Sequence, residues 1–122
     1  MYYRFEKLNV WSESRIFIKE IYRLTAKFPV KEQFILVNQL KRAVISIALN
    51  IAEGSDKKSD KDFIRYLRTS LGSINEVVTC LYIAKDLCYL NNNNFNVLYD
   101  SANKLSAMIN SLIRKIDEKK KR

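Results

Sequence analysis

In VKEQFILVNQLKRAVISIALNIAEG, residues 30–54, apolar residues recur at helical spacing around an unusually wide arc. Wound at 100° per residue, the segment gathers Gln39, Arg42, Ser46, Asn50 and Glu53 within an arc of about 80°. Phe34, Val37, Leu40, Val44, Ile45, Ile47, Ala48, Ile51 and Ala52 cover most of the remaining circumference, and Lys41 is the lone charge on that side. Such spacing predicts a helix over 30–53, ended at Gly54 by the left-handed conformation that glycine enters without steric cost. An apolar surface this wide needs more than one neighbour. The helix is therefore expected to be central to a bundle or shared with another subunit.

On its amino-terminal side, Trp11, Ser14, Phe17, Ile18, Ile21, Leu24, Thr25 and Phe28 recur at steps of three and four and predict a helix over 10–28. Phe28-Pro29 ends it, since proline disfavours a helical residue before it and suits the opening of the next helix. On the other side, Ser59 is placed to cap a helix over 59–88, with Asp60 and Asp62 in its first turn. Gly72, inside that helix, suggests the close approach of another helix. The run Asn91 to Asn94 forms the third connection and caps a helix over 95–116, after which 117–122 is a basic tail. Three short connections imply antiparallel neighbours, so the predicted fold is all-α: one domain, 1–122, built as an up-down-up-down four-helix bundle. Only two glycines and one proline in 122 residues argue against a turn-rich β fold.

The charge balance is 22 Lys and Arg against 13 Asp and Glu, a formal +9, and this excess favours polyanionic partners. In an up-down-up-down bundle, helices 1 and 3 start where helices 2 and 4 end. That pole collects Arg4, Lys7, Lys57, Lys58, Lys61, Arg65, Arg114, Lys115, Lys119, Lys120, Lys121 and Arg122, against Glu6, Asp56, Asp60, Asp62, Asp117 and Glu118. Lys61, Arg65 and Arg68 fall on one stripe beside Lys57 and Lys58, and with Lys115, Lys119, Lys120, Lys121 and Arg122 they form a candidate nucleic-acid-binding set able to follow a phosphate backbone. The alternative is an ordinary solvated rim. Tyr2, Tyr3 and Phe5 flank Arg4 near the same pole; they either stack on unpaired bases or pack on the bundle or a neighbour.

The stripe Gln39, Arg42, Ser46, Asn50, Glu53 is either a solvated face or a structural polar network facing helix 3. In the second case Arg42 pairs with Glu76 near Ser73, and Asn50 or Gln39 satisfies the remaining groups, which sets helix register more than it adds stability. Histidine is absent, so Glu-x-x-His di-iron sites, Arg-x4-His ribonuclease pairs and Ser-His or Cys-His nucleophiles have no imidazole to use. No glycine-rich phosphate loop occurs. Cys80 and Cys88 lie eight residues apart on one predicted helix, about 12 Å along its axis, too far to bridge, and both are read as core residues. No catalytic residue, metal or cofactor is expected. The amino-terminal residues lack the order of a signal peptide, and the charge-free run Ala43 to Ala52 is too short to span a bilayer, so no membrane association and a cytoplasmic location are expected.

Several segments resemble one family in order and spacing over nearly the whole chain: Leu8-x-Val10-Trp11, Phe28-Pro29-x-x-Glu32, Gln39-Leu40-x-Arg42-Ala43, Ser46-Ile47-x-x-Asn50-Ile51-Ala52-Glu53-Gly54 and Gly72-Ser73-x-x-Glu76. They resemble the four-helix bundle proteins known as 23S rRNA intervening-sequence proteins. The resemblance implies a bacterial protein encoded within, or apart from, insertions in large-subunit ribosomal RNA genes, and a homopentamer carrying five times the charge of one chain. A related group serves as accessory subunits of diversity-generating retroelements, binding nucleic acid and a reverse transcriptase. The resemblance also favours a structural role for the helix 2 stripe. Two functions are therefore expected to compete: a non-enzymatic, self-associating binder of RNA or single-stranded DNA, and a scaffold or adaptor whose ligand is another protein, for example a reverse transcriptase.

Overall fold

The computed structural model describes residues 2–120, with the side chain of Lys120 outside the description. Four helices form: α1 over Asn9–Thr25, α2 over Leu36–Ser55, α3 over Asp60–Asp86 and α4 over Asn92–Lys120. Short 3-10 turns over Arg4–Lys7 and Val30–Glu32 precede α1 and α2, and no strand occurs among the described residues. α1 packs on α2, α2 on α3, α3 on α4 and α4 back on α1, a packing consistent with a four-helix bundle. Their apolar faces meet in one core that includes Phe17, Ile21, Leu40, Ile47, Leu67, Leu81, Leu98 and Ile109. Two fully buried hydroxyls on α1 are satisfied within their own helix, Ser14 donating to the Trp11 carbonyl at 2.6 Å and Thr25 to the Ile21 carbonyl at 2.7 Å.

The helix boundaries differ from the expected ones for identifiable reasons. α1 stops at Thr25 rather than Phe28, and α2 starts at Leu36 rather than Val30. Between them the backbone is extended at Pro29 and breaks again at Ile35, where φ is −115° and ψ −87°. The Gln33 side chain explains the detour. Its Nε2 donates to the carbonyls of Thr25 at 3.3 Å, which also accepts from the Phe28 amide, and of Phe28 at 3.2 Å, just past the end of α1. Glu32 is used as well, accepting from the Tyr89 hydroxyl at 2.8 Å and so tying this connection to the one between α3 and α4. α4 begins three residues earlier than expected because Asn91 caps it, its Oδ1 accepting from the Asn94 amide at 2.7 Å. Helical structure continues to Lys120, through most of the expected tail; Lys121 and Arg122 lie outside the described residues.

Neither glycine has its expected role. Gly54 is not in a left-handed conformation but lies buried inside α2, and a Cβ added there would sit 2.6 Å from the Tyr66 Cβ. The close helix approach expected at Gly72 is therefore at Gly54, whereas Gly72 is exposed with no atom within 4 Å of such a Cβ. Among the described residues the left-handed one is Cys88, with φ 65°. It stands just beyond α3, its amide donating to the Lys85 carbonyl at 3.0 Å while the Tyr89 amide donates to Ala84 at 2.9 Å. That bond pair is a Schellman turn. Cys88 is consequently exposed and not a core residue; Cys80 is buried, as its spacing implied.

Candidate nucleic-acid interface

α2 and α3 meet along a line of short side chains. Ser70, fully buried on α3, donates to the Ile47 carbonyl at 2.9 Å. Outside it, the Ser46 and Ser73 hydroxyls lie 3.0 Å apart, and Asn50 Nδ2 donates to the Ser46 carbonyl at 2.8 Å and hydroxyl at 3.0 Å. Towards the outer rim Gln39 Nε2 donates to Glu76 Oε2 at 2.6 Å, and towards the other end the Tyr66 hydroxyl donates to Glu53 Oε1 at 3.3 Å. The stripe of α2 thus faces α3. Glu76 takes Gln39 as its partner rather than Arg42, which is exposed and lines the same groove as Gln39, Ser46, Ser73 and Glu76. As positions climb α2 through 39, 46, 47 and 53, their partners descend α3 through 76, 73, 70 and 66.

The expected basic residues separate into two groups. Lys61, Arg65 and Arg68 line one shallow depression on the first half of α3, together with Asp62, Ile64 and Thr69, so three cations there face one carboxylate. Lys57 stands beside it: its Nζ lies 3.9 Å from Glu53 Oε1 and 5.3 Å from the centre of the Tyr66 ring, whose other cation is the Arg65 guanidinium at 4.8 Å. Arg65 also lies 3.6 Å from Asp62. Lys58 is exposed in the connection between α2 and α3. Lys115 belongs to a different hollow, shared with Lys7, Leu8, Asn9 and Met108 at the junction of α1 and α4. Lys119 is exposed one turn further along α4.

Both groups nevertheless occupy one end of the molecule. The amino-terminal turn reaches the last turns of α2, where Tyr2, Tyr3, Arg4 and Phe5 form a cleft with Leu49, Ala52 and Lys57, and the start of α1 meets the second half of α4 around Lys115. Of the lead-in aromatics, Phe5 packs on Trp11 with ring centres 4.7 Å apart, while Tyr2 and Tyr3 are exposed. Sequence reasoning did not anticipate Tyr66, which bridges Lys57 and Arg65, or Leu49, which forms one wall of the cleft. Neither is among the candidate binding residues that charge and spacing single out. The available signal was the i,i−1 and i,i−9 spacing of Arg65 and Lys57 from Tyr66 across a tight connection, which only folding brings together.

Neither perturbed titration lies at this end. Burial pushes the Cys80 thiol up from its ordinary value, with the Glu76 charge adding to it, so the thiol stays protonated and unreactive. The hydrogen bond to Glu32 raises the Tyr89 phenol, with desolvation and the carboxylate charge as smaller causes. Among the described residues no three Cys, Asp or Glu side chains converge as a metal site requires, and no helix is long and apolar enough to cross a membrane.

Comparison with known proteins places this geometry in context. No curated protein matches the chain. A crystal structure of a protein of unknown function from the S23 ribosomal protein family of Bacteroides thetaiotaomicron superposes with a TM-score of 0.76 at 23% identity, covering 85% of this chain and 97% of that one. At that identity the likeness concerns the fold. The sequence itself matches the family described as 23S rRNA-intervening sequence protein over residues 6–111, which takes in α1, α2, α3 and most of α4, and the chain belongs to that family.

Proposed function

We propose that this chain is a non-enzymatic, self-associating cytoplasmic protein that binds the phosphate backbone of RNA or single-stranded DNA at one end of an antiparallel up-down-up-down bundle. The observation that carries the proposal is the joint lining of one depression by Lys61, Arg65 and Arg68, with Lys57 adjacent. Three cations on one face of α3 are spaced to meet successive phosphates, and each phosphate contact releases condensed counterions, which makes binding steeply salt-dependent. The opposite order of partners along α2 and α3 supports the antiparallel arrangement. So does the pairing of Glu13 with Lys104 and of Glu20 with Ser101 across α1 and α4.

The test is fluorescence anisotropy with a labelled single-stranded RNA across a salt series. We expect the slope of log affinity against log salt to flatten by about 2 in the variant carrying Lys61→Gln, Arg65→Gln and Arg68→Gln, as three lost single-strand phosphate contacts require. An absence of binding by the wild-type chain at low salt, or an unchanged slope in the variant, rules the reading out. A protein-interaction scaffold is the second reading. It is favoured by the apolar side chains that α2 and its approach leave in solvent, Phe34 at 87% exposure and Ile35 at 70%. Recovery of one defined protein partner after nuclease treatment distinguishes it.

A further inference from the structure

The cleft between the amino-terminal turn and the end of α2 has a volume of about 870 Å³. Its aromatic wall is held in place rather than trailing. The Tyr3 amide donates to Glu6 Oε1 at 2.9 Å, the Glu6 amide donates back to the Tyr3 carbonyl at 3.2 Å, and the turn they close packs on both α1 and α2. The rings form a continuous series. Tyr2 meets Tyr3 edge-on at 4.9 Å, Tyr3 stacks on Phe5 at 5.5 Å with planes 22° apart, Phe5 leans on Trp11, and the Arg15 guanidinium lies 5.1 Å from the Trp11 ring centre. Opposite them stand Leu49 and Ala52 of α2, and Leu49 is 63% exposed. Tyr2 is 90% exposed, so its ring faces are open to a further planar group.

We infer that this cleft is a stacking site for unpaired nucleobases, which would make the protein a reader of single strands over duplex. The inference rests on the proposed nucleic-acid binding and deepens it by naming where a base goes. The charges around the cleft fit a base and its backbone in different places. Arg4 and Lys57 at the rim suit phosphate, and Lys57 leads through Tyr66 directly to Arg65 and the basic depression on α3. The carboxylates of Glu53 and Asp56 also line the cleft and would repel a phosphate placed inside it, but they accept hydrogen bonds from the amino edge of a base. Glu53 is in addition engaged by Lys57 and by the Tyr66 hydroxyl. A duplex cannot offer its bases to such a wall without unstacking them, whereas a single strand can.

The experiment uses the full chain, a short single-stranded oligonucleotide carrying 2-aminopurine, and its blunt duplex. Binding of the single strand is expected to quench the 2-aminopurine emission. Replacing both rings, Tyr2→Leu with Tyr3→Leu, should weaken single-strand binding roughly tenfold or more, abolish the quench, and leave duplex affinity and the salt slope unchanged. Tyr3→Phe, which keeps the ring face, should retain wild-type binding. Circular dichroism melting checks that the variants fold, which the exposure of both side chains leads us to expect. Equal losses on single strand and duplex, no loss on either, or no quench with the wild-type chain overturns the inference. If the wild-type chain binds neither ligand, the proposed function falls with it; if binding persists and still depends on Lys61, Arg65 and Arg68, only the cleft assignment falls. A changed oligomeric mass in the tyrosine variant with unchanged affinity identifies the cleft as a contact between copies of the chain and likewise overturns it.

Discussion

A Cβ built on Gly54 meets the Tyr66 Cβ at 2.6 Å and Phe63 Cδ1 at 3.1 Å, whereas one built on Gly72 meets nothing within 4 Å. Both glycines sit inside helices, so propensity alone gives the two Gly→Ala changes the same sign. Packing reverses one of them. The obstruction at Gly54 is a Cβ, which moves only with its backbone, so Gly54→Ala forces α2 and α3 apart and should cost about 1–3 kcal/mol. Gly72→Ala should instead stabilise the chain by about 1 kcal/mol, the helical preference of alanine at an open position. Cys88→Gly should also stabilise, by about 1 kcal/mol, since cysteine at φ 65° bears the left-handed strain that glycine does not. Urea midpoints at constant m-value measure all three. A Gly54→Ala variant as stable as the wild type would mean that α2 and α3 do not approach as closely as described.

Between elements, the α2–α3 seam works by size more than by charge. Ser70 is fully buried with its hydroxyl on the Ile47 carbonyl, and a larger side chain there has no room to occupy. Ser70→Leu should therefore destabilise by at least about 2 kcal/mol through overpacking, while Glu76→Ala, which removes only an exposed bond to Gln39, should cost under about 0.5 kcal/mol. Thermal melts of the two variants decide it, and similar losses in both would assign the seam to its polar rim. The same seam shows what a sequence can and cannot disclose. The spacing of Gln39, Ser46, Asn50 and Glu53 put these residues on one face of a helix, because helical periodicity is a property of the chain alone. Which residue of α3 stands opposite each depends on register. Hence the polar-network reading pairs Glu76 with Arg42 where the structure bonds it to Gln39, and spacing points to Gly72 for the tight crossing that Gly54 and Ser70 make. The start of α2 is hidden for a related reason: Gln33 reaches the end of α1 and Glu32 the connection between α3 and α4, and those contacts outweigh the helical preference of the residues themselves.

Over the whole molecule, the two ends differ in character. At one end stand Lys57, Lys58, Lys61, Arg65 and Arg68; at the other, where Phe28 meets Tyr89 at 5.6 Å between ring centres, Val30, Phe34, Ile35 and Leu87 project into solvent, with Lys27 and Lys31 exposed beside them. α2 alone sets these ends about 30 Å apart, beyond several Debye lengths at physiological salt, so apolar contact at one is little affected by charge at the other. Net charge still matters to self-association, because copies carrying +9 repel one another until salt screens them. Association through the apolar end should therefore strengthen as salt rises, the reverse of nucleic-acid binding at the basic end. Light scattering at micromolar concentration across a salt series is expected to show a mass above the 14.4 kDa of one chain, growing or holding steady with salt, and Phe34→Ser with Ile35→Ser should return it towards 14.4 kDa. A mass of one chain at every salt concentration would remove self-association. A mass that falls as salt rises would place the contact among charged groups and leave Phe34 and Ile35 without that role.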